Sequence, residues 1–405
     1  MRVGVLGGGL QGCCVALALA DRGAQVTLFD RNPTLIARAG AANEGKIHLG
    51  YMYAGDPSLQ TAKTMMTGAL AFQPFLRRHL GSTSPALRTS VPAIYVVHRD
   101  AQTSPEAIGQ YLMKVHELIA ERTAQAASSY FGLNLQPPLR CLPSAEREAC
   151  FNGELAVAAY ETPEVAINPT IVAEAMREHI ATHSRIEVRL GCLISGAAED
   201  GTGVWVNGRD QDGGVREHFD HVVNALWDGR LAFDAAMGRS IGRAWIHRLK
   251  YGVSFRLPEG AQAPPSATFV LGPFGEVVSY ADGTIYLTWY PTCLRDISYE
   301  IQPPDWANFP GEPMRSEVIN GTFEAMRMIV PALRGIEPAT APEITVKGGA
   351  IVAWGATDIY DRESELHRRY EIGITTNGRI HSVDPGKLTM APFFAEQCAD
   401  RITTT

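Results

Sequence analysis

The sequence has no pair of cysteines spaced as CxxC, and none of its seven cysteines stands with histidine at zinc-finger spacing. A dithiol redox centre and a zinc finger are excluded on that ground. Seven is an odd number, so reduced and mostly buried thiols are expected. No apolar stretch reaches about 18 residues, so no membrane-spanning helix is expected. No run of five or six like charges is present, which excludes a charged interaction tail. Positive charge is also short, with 36 Lys and Arg against 43 Asp and Glu and a net charge of −7. A nucleic-acid binder would show a basic patch or stripe, so no nucleic-acid partner is expected. The first twenty residues imitate a secretory leader, with Arg2 and an apolar run to Ala20. Five glycines interrupt that run, and the expected location is the cytoplasm.

What is there is ordinary for a globular chain: 405 residues, 45% hydrophobic and 20% charged. That length predicts two or three domains and a core that needs no covalent staples. Residues 2–6 read as a buried strand, 10–22 as a helix that Gly23 ends, and Ala24–Asp30 as a second strand. This is a βαβ unit. Helices are expected over 60–80, 105–128, 168–183, 315–330 and 388–401, and loops over 131–147 and 302–313. Asn168 and Pro169 supply an N-cap and a first helical residue. Strands are expected at Ile186–Leu190, around Asp200-Gly201, at Val222–Leu226, and at 343–353. A hairpin over 370–381 turns at Asn377-Gly378. Residues 250–290 alternate apolar and polar, as antiparallel strands do.

Gly7-Gly8-Gly9-Leu10-Gln11-Gly12 is a GxGxxG between the first strand and the first helix. Gly7 permits the tight turn, Gly9 leaves room for a pyrophosphate, and Gly12 lets helix and strand approach. The anion rests on the helix N-terminus. Asp30, closing the second strand, is placed to bind ribose hydroxyls and to repel a 2′-phosphate, although Arg31 follows it. NADP is therefore disfavoured, and both NAD and FAD remain open.

The next segment, Ala41 to Tyr53, carries Asn43, Gly45, His48 and Gly50. With these residues the chain resembles the D-amino-acid-oxidase-like (DAO) superfamily of FAD-dependent oxidoreductases. Within it, the chain is most like the branch of L-2-hydroxyglutarate and glycerol-3-phosphate dehydrogenases. Asn168-Pro169 with Val222-Val223-Asn224-Ala225 resembles the family's middle FAD-binding segment. Gly386-Lys387-Leu388-Thr389-Met390-Ala391-Pro392 resembles its closing one, where a helix N-terminus faces the flavin's pyrimidine carbonyl. The likeness is strong over the nucleotide-binding parts and weak over 80–150 and 240–340. The last third lacks the Gly-Asp-Ala motif of flavin monooxygenases, and a second GxGxxG is absent.

The resemblance implies FAD as cofactor. It would be held by Gly7, Gly9, Leu10, Gln11, Gly12, Asp30, Arg31, Asn43, Gly45, Lys46, Ile47, His48, Ala225, Gly386, Lys387, Leu388 and Thr389. His48 would lie near the flavin as hydrogen-bond partner, general base or covalent attachment point. Tyr51 and Tyr53 would bind substrate or cap the site. Lys347, ahead of Gly348-Gly349, would bind a substrate carboxylate or activate oxygen. Arg248, Lys250, Tyr251 and Arg256 are further candidates for carboxylate recognition. His179 and His183 stand at i, i+4 on a helix without an HExxH, and no metal site is expected. His218 and His221 read as solvated. Cys13 and Cys14 read as small helix–sheet packing groups.

The expected fold is α/β plus α+β. A Rossmann-like FAD-binding domain is built from discontinuous segments (1–78, 156–238 and 343–405). A substrate domain with a mostly antiparallel sheet is built from 79–155 and 239–342. The expected function is oxidation of a C–H bond beside a hydroxyl or amine of a small hydroxy or amino acid, by hydride transfer to the flavin. The partners are that substrate and an electron acceptor, oxygen or another; the oligomeric state is left open. An NAD-dependent dehydrogenase and a flavin-binding protein without turnover are the alternatives.

Overall fold

The computed structural model describes residues 1–124 and 130–404. Its first sheet has six strands in the order Gly373–Asn377, Ile380–Asp384, His221–Asn224, Arg2–Leu6, Gln25–Phe29, Ile186–Arg189. All neighbours are parallel except the first pair, the hairpin that turns at Asn377-Gly378. The central strands are apolar along their length because both sheet faces are covered. One face carries helices Leu10–Asp21, Gln60–Leu80, Pro169–Ala181 and Ala391–Thr403. The other packs on a three-stranded sheet (Leu193–Glu199, Val204–Asp210, Gly213–Phe219). Phe219 lies against Gly4 and meets Phe29 edge-on, with ring centroids 6.0 Å apart.

Register decides where a ligand can go. Leu6 stands level with both Phe29 and Asn224. The turns Gly7, Asp30, Ala225 and Pro385 therefore leave the sheet at one common edge, and all four line the same cavity. Ligands of parallel α/β sheets bind at this carboxyl edge.

The second sheet has nine strands and closes the cavity from the other side. Strand Trp245–Arg256 runs antiparallel to Thr345–Trp354, Leu294–Ser298 and Thr284–Trp289. The sheet continues through Gly275–Ser279, Ala267–Phe269, Ile94–His98, Ala156–Glu161 and Arg140–Cys141. Only Ala267–Phe269 with Ile94–His98 is parallel. Helix Met314–Ile329 packs Phe323 on Phe255, centroids 5.4 Å apart.

Most expected elements are present with small end shifts. The helix expected over 105–128 is Pro105–Ala124, and its last four positions lie outside the described residues. The loop expected over 131–147 contains strand Arg140–Cys141 and runs into helix Ser144–Cys150. Both are too short to show a period. Strands Ala156–Glu161 and Thr345–Trp354 pair in the nine-stranded sheet, although the segments starting at 156 and 343 were assigned to the nucleotide-binding side. A short apolar run does not encode which distant strand it will pair with. No described helix is long and apolar enough to cross a membrane.

Asn168 caps helix Pro169–Ala181, its side chain accepting from Thr170 N at 3.0 Å while its amide donates to Asp282 at 2.9 Å. Asn168→Ala removes both bonds. It should cost about 1–2 kcal/mol, read as a lowered urea midpoint with an unchanged slope.

Candidate active site

The cavity between the two sheets has a volume of about 500 Å³. Its lining passes from Asp30 and Arg31 along the glycine turn to Asn43–His48, Pro385–Leu388 and the second sheet.

Each glycine of the turn has its own reason. Gly7 has φ +99°, and a Cβ on it would sit 2.6 Å from Ala225 O. A Cβ on Gly12 would lie 1.8 Å from Gly7 O, so the helix could not approach its strand. A Cβ on Gly9 would meet nothing within 4 Å, and Gly9 lines the cavity. The space it leaves is ligand space, in front of the first helix's free N–H groups. Asp30 is pinned there, accepting from Gly8 N at 2.7 Å and from Asn32 N at 2.7 Å. The turn and the pinned carboxylate fit a dinucleotide.

The 43–48 segment is held by its own bonds. Asn43 Nδ2 donates to Ala39 O at 2.8 Å, and Asn43 Oδ1 accepts from Gly45 N at 2.7 Å. Gly45 has φ +64°, and a Cβ would lie 1.9 Å from Ile167 O. Thr389 Oγ1 accepts from His48 N at 3.0 Å and donates to Lys46 O at 3.2 Å, joining this segment to the closing one.

The far end of the cavity carries buried charge. Lys46 pairs with Glu276 at 3.1 Å, Lys250 with Glu44 at 3.0 Å, and Arg248 with Asp358 at 2.9 Å. Burial opposes the ionisation of Glu44, but Lys250, Lys387 and His48 hold its carboxyl well below the usual range. Burial raises the Glu276 carboxyl, with Glu44 adding to the rise and Lys46 opposing it. Lys387 has no ion-pair partner among the described residues, and burial brings its pKa down to about 8 against the pull of Glu44. Arg369 is fully buried. Its Nε donates to Leu366 O at 3.2 Å and its Nη1 to Val352 O at 3.4 Å, and no carboxylate among the described residues pairs with it. Burial and then Arg248 press its pKa down.

His48 is 1% exposed, and its Nδ1 lies 3.3 Å from Glu164 Oε1, close enough for an ion pair but off-axis for a hydrogen bond. Glu164 is 0% exposed, accepts from Leu49 N at 2.6 Å, and bonds the Tyr95 hydroxyl. Burial opposes its charge, but His48, Lys46 and Tyr95 keep its pKa low. Tyr53 meets the His48 ring at 5.7 Å, and its buried hydroxyl has no hydrogen-bond partner among the described residues.

Of the expected residues, Gly7, Gly9, Leu10, Gln11, Asp30, Arg31, Asn43, Lys46, His48, Tyr53, Ala225, Gly386, Lys387 and Leu388 line the cavity. Gly12, Gly45, Ile47 and Thr389 lie behind its wall and shape it. Arg248 and Lys250 line it, whereas Tyr251 donates to Ala307 O and Arg256 reaches Glu343. Lys347 stands two strand positions before the lining residue Gly349, with its ammonium 5.8 Å from the Phe309 ring centre. Tyr51 points to His116 instead, at 2.7 Å. No described residues form a group able to hold a metal, His179 and His183 included. The sequence reading passed over Glu164, Glu276 and Arg369. A lone acid in an apolar run, as in Phe274-Gly275-Glu276-Val277-Val278, is a signal that finds the first two. Arg369 carries no such signal.

Burial pushes the Cys13 and Cys14 thiols well above their ordinary pKa, which suits packing groups. Gly9 and Gly12 predict opposite outcomes on substitution. Gly12→Ala should cost about 1–3 kcal/mol in chemical unfolding through overpacking. Gly9→Ala should leave the unfolding midpoint of the cofactor-free protein within about 0.5 kcal/mol and weaken FAD binding, read by flavin fluorescence titration.

The family described as "DAO: FAD dependent oxidoreductase" matches residues 2–355. No curated protein matches the sequence. Among solved structures, glycine oxidase from Geobacillus kaustophilus superposes with a TM-score of 0.71 at 15% identity, over 100% of this chain and 95% of that one. Iminodiacetate oxidase from Chelativorans sp. BNC1 gives 0.68 at 17%, over 100% and 95%. L-α-glycerophosphate oxidase from Mycoplasma pneumoniae, with FAD bound, gives 0.67 at 15%, over 99% and 94%. At these identities the likeness shows the fold, and the family match decides FAD over a nicotinamide. The chain belongs to the DAO family of FAD-dependent oxidoreductases.

Proposed function

We propose that the protein oxidises the C–H bond beside the hydroxyl or amine of a small 2-hydroxy or 2-amino acid. The observation that carries this reading is Arg369. Three cations at the reaction end have carboxylate partners, and the buried Arg369 has none among the described residues; Lys387 also has none, but burial brings its pKa down to about 8, so Arg369 is the one that keeps its charge. An unpaired guanidinium in a dry cavity calls for an anionic ligand. A carboxylate matches its planar fork. Glycine oxidase and glycerophosphate oxidase among the structural neighbours act on small polar substrates, in line with this choice.

FAD, when bound, supplies the hydride acceptor and passes the electrons to oxygen or another acceptor. The rest falls to the chain's own residues. Gly9 and the first helix hold the pyrophosphate, and Asp30 the ribose. Lys387 supplies positive charge beside the closing helix. Arg369 fixes the substrate carboxylate, which sets the position of the neighbouring carbon. His48 takes the hydroxyl or amine proton on Nε2 as the C–H pair departs, leaving a carbonyl or imine. Glu164, facing Nδ1, stabilises the imidazolium that results. Tyr53 offers a free hydroxyl to the reacting oxygen or nitrogen.

The test is anaerobic titration of the FAD-loaded protein with a panel of 2-hydroxy and 2-amino acids. At least one should bleach the flavin. Arg369→Leu should raise the concentration needed by roughly 10–150-fold, the loss of about 1.5–3 kcal/mol of charge-assisted binding. His48→Asn should slow bleaching at saturation by about 100-fold or more. A flavin that no member of the panel bleaches would point instead to a flavin-binding role without turnover.

A further inference from the structure

A second cavity, of about 360 Å³, lies behind the wall of the first. His367 lines both. Its mouth is exposed at Lys114 and Arg362, and its floor is buried at Tyr111, Leu271 and His367. No acid lines it, and neither Lys114 nor Arg362 has an ion-pair partner among the described residues.

The wall between the cavities belongs to the segment joining strand Thr345–Trp354 to strand Gly373–Asn377. That segment also carries Asp358, the partner of Arg248, and Arg369. It holds only one short helical turn, Glu365–His367. Side chains tie it down: Gln102 Nε2 donates to Ile359 O at 3.1 Å, and Thr61 Oγ1 accepts from Arg369 N at 2.9 Å. The His367 ring bonds Asp361 O at 3.0 Å and the backbone of Ile359, and it packs against Gly55, where a Cβ would be 2.5 Å from its Nδ1. The His367 imidazole, with residues 52–55 beside it, thus stands between a cationic funnel and the buried Arg369. The second cavity offers a separate approach to that end.

We propose that the second cavity is the substrate's entrance: a small organic carboxylate is gathered between Lys114 and Arg362 and passes the His367 ring to reach Arg369. The proposal rests on the carboxylate reading of Arg369. The positive residues then form a graded path, exposed at the mouth, neutral imidazole at the gate, and guanidinium at the end. Exposed charges at a narrow mouth act on the association rate, and salt screens them.

The test uses the FAD-loaded protein and dithionite, a small dianion that delivers two electrons and leaves as two sulfites. It needs no knowledge of the natural substrate. The double variant Lys114→Glu/Arg362→Glu should slow anaerobic bleaching about tenfold or more at low salt and approach the wild-type rate at high salt. Ala107→Trp, which fills the cavity from an exposed helical position, should slow it at every salt concentration. FAD content and the visible spectrum should be unchanged in both. Wild-type rates in both variants would overturn the proposal, as would a charge-reversal effect that salt does not remove. If these rates separate but no hydroxy or amino acid bleaches the flavin, the entrance stands and the substrate reading falls. If a substrate bleaches and these rates do not separate, the reverse holds.

Discussion

The reaction end of this protein is organised by the cost of keeping charge away from water. A lone ammonium or carboxylate in a dry interior is expensive, and removal of one partner of a buried pair strands the other. Lys46, Lys250 and Arg248 are affordable only because Glu276, Glu44 and Asp358 face them. Those pairs bring together the 43–48 segment, strands Trp245–Arg256 and Gly275–Ser279 of the second sheet, and the 355–372 wall. Arg369 and Lys387 are the cations left without a carboxylate among the described residues, and burial lowers the pKa of both. Glu164 follows the same rule on the other side of His48, where three groups hold one buried carboxylate ionised.

The nucleotide-binding half was legible because its constraints are local. Gly12 obeys a limit set within six residues by Gly7 O, and Gly7 by its own positive φ, although Gly7 also faces Ala225 O across the sheet. Asp30 is fixed by the end of the next strand. The 43–50 and 386–392 segments were readable for a different reason, their likeness to a family whose cofactor imposes them. Thr389 shows how far that goes. It was placed at the cofactor, and its hydroxyl instead ties residues 46 and 48 to the closing segment.

The reaction end was much less legible because it is assembled from side chains far apart in the chain. Arg369 depends on carbonyls at 352 and 366 and on what stands across the cavity. Nothing near it in sequence reports either. Lys347 illustrates the same difficulty within one strand. Strand pairing puts Lys347 opposite Gly252 and Gly349 opposite Lys250, and the cavity ends between those two pairs. Such a boundary depends on register across nearly a hundred residues.

The six-stranded sheet has a consequence for the order in which the protein can be made. Its two middle neighbours, His221–Asn224 and Ile380–Asp384, are synthesised long after the glycine turn. The helix that packs most closely on the first one is the last in the chain. A nascent chain therefore carries the phosphate turn long before the strands and the helix that pack beside it. The half-built sheet must meanwhile keep apolar strand edges from pairing with other chains.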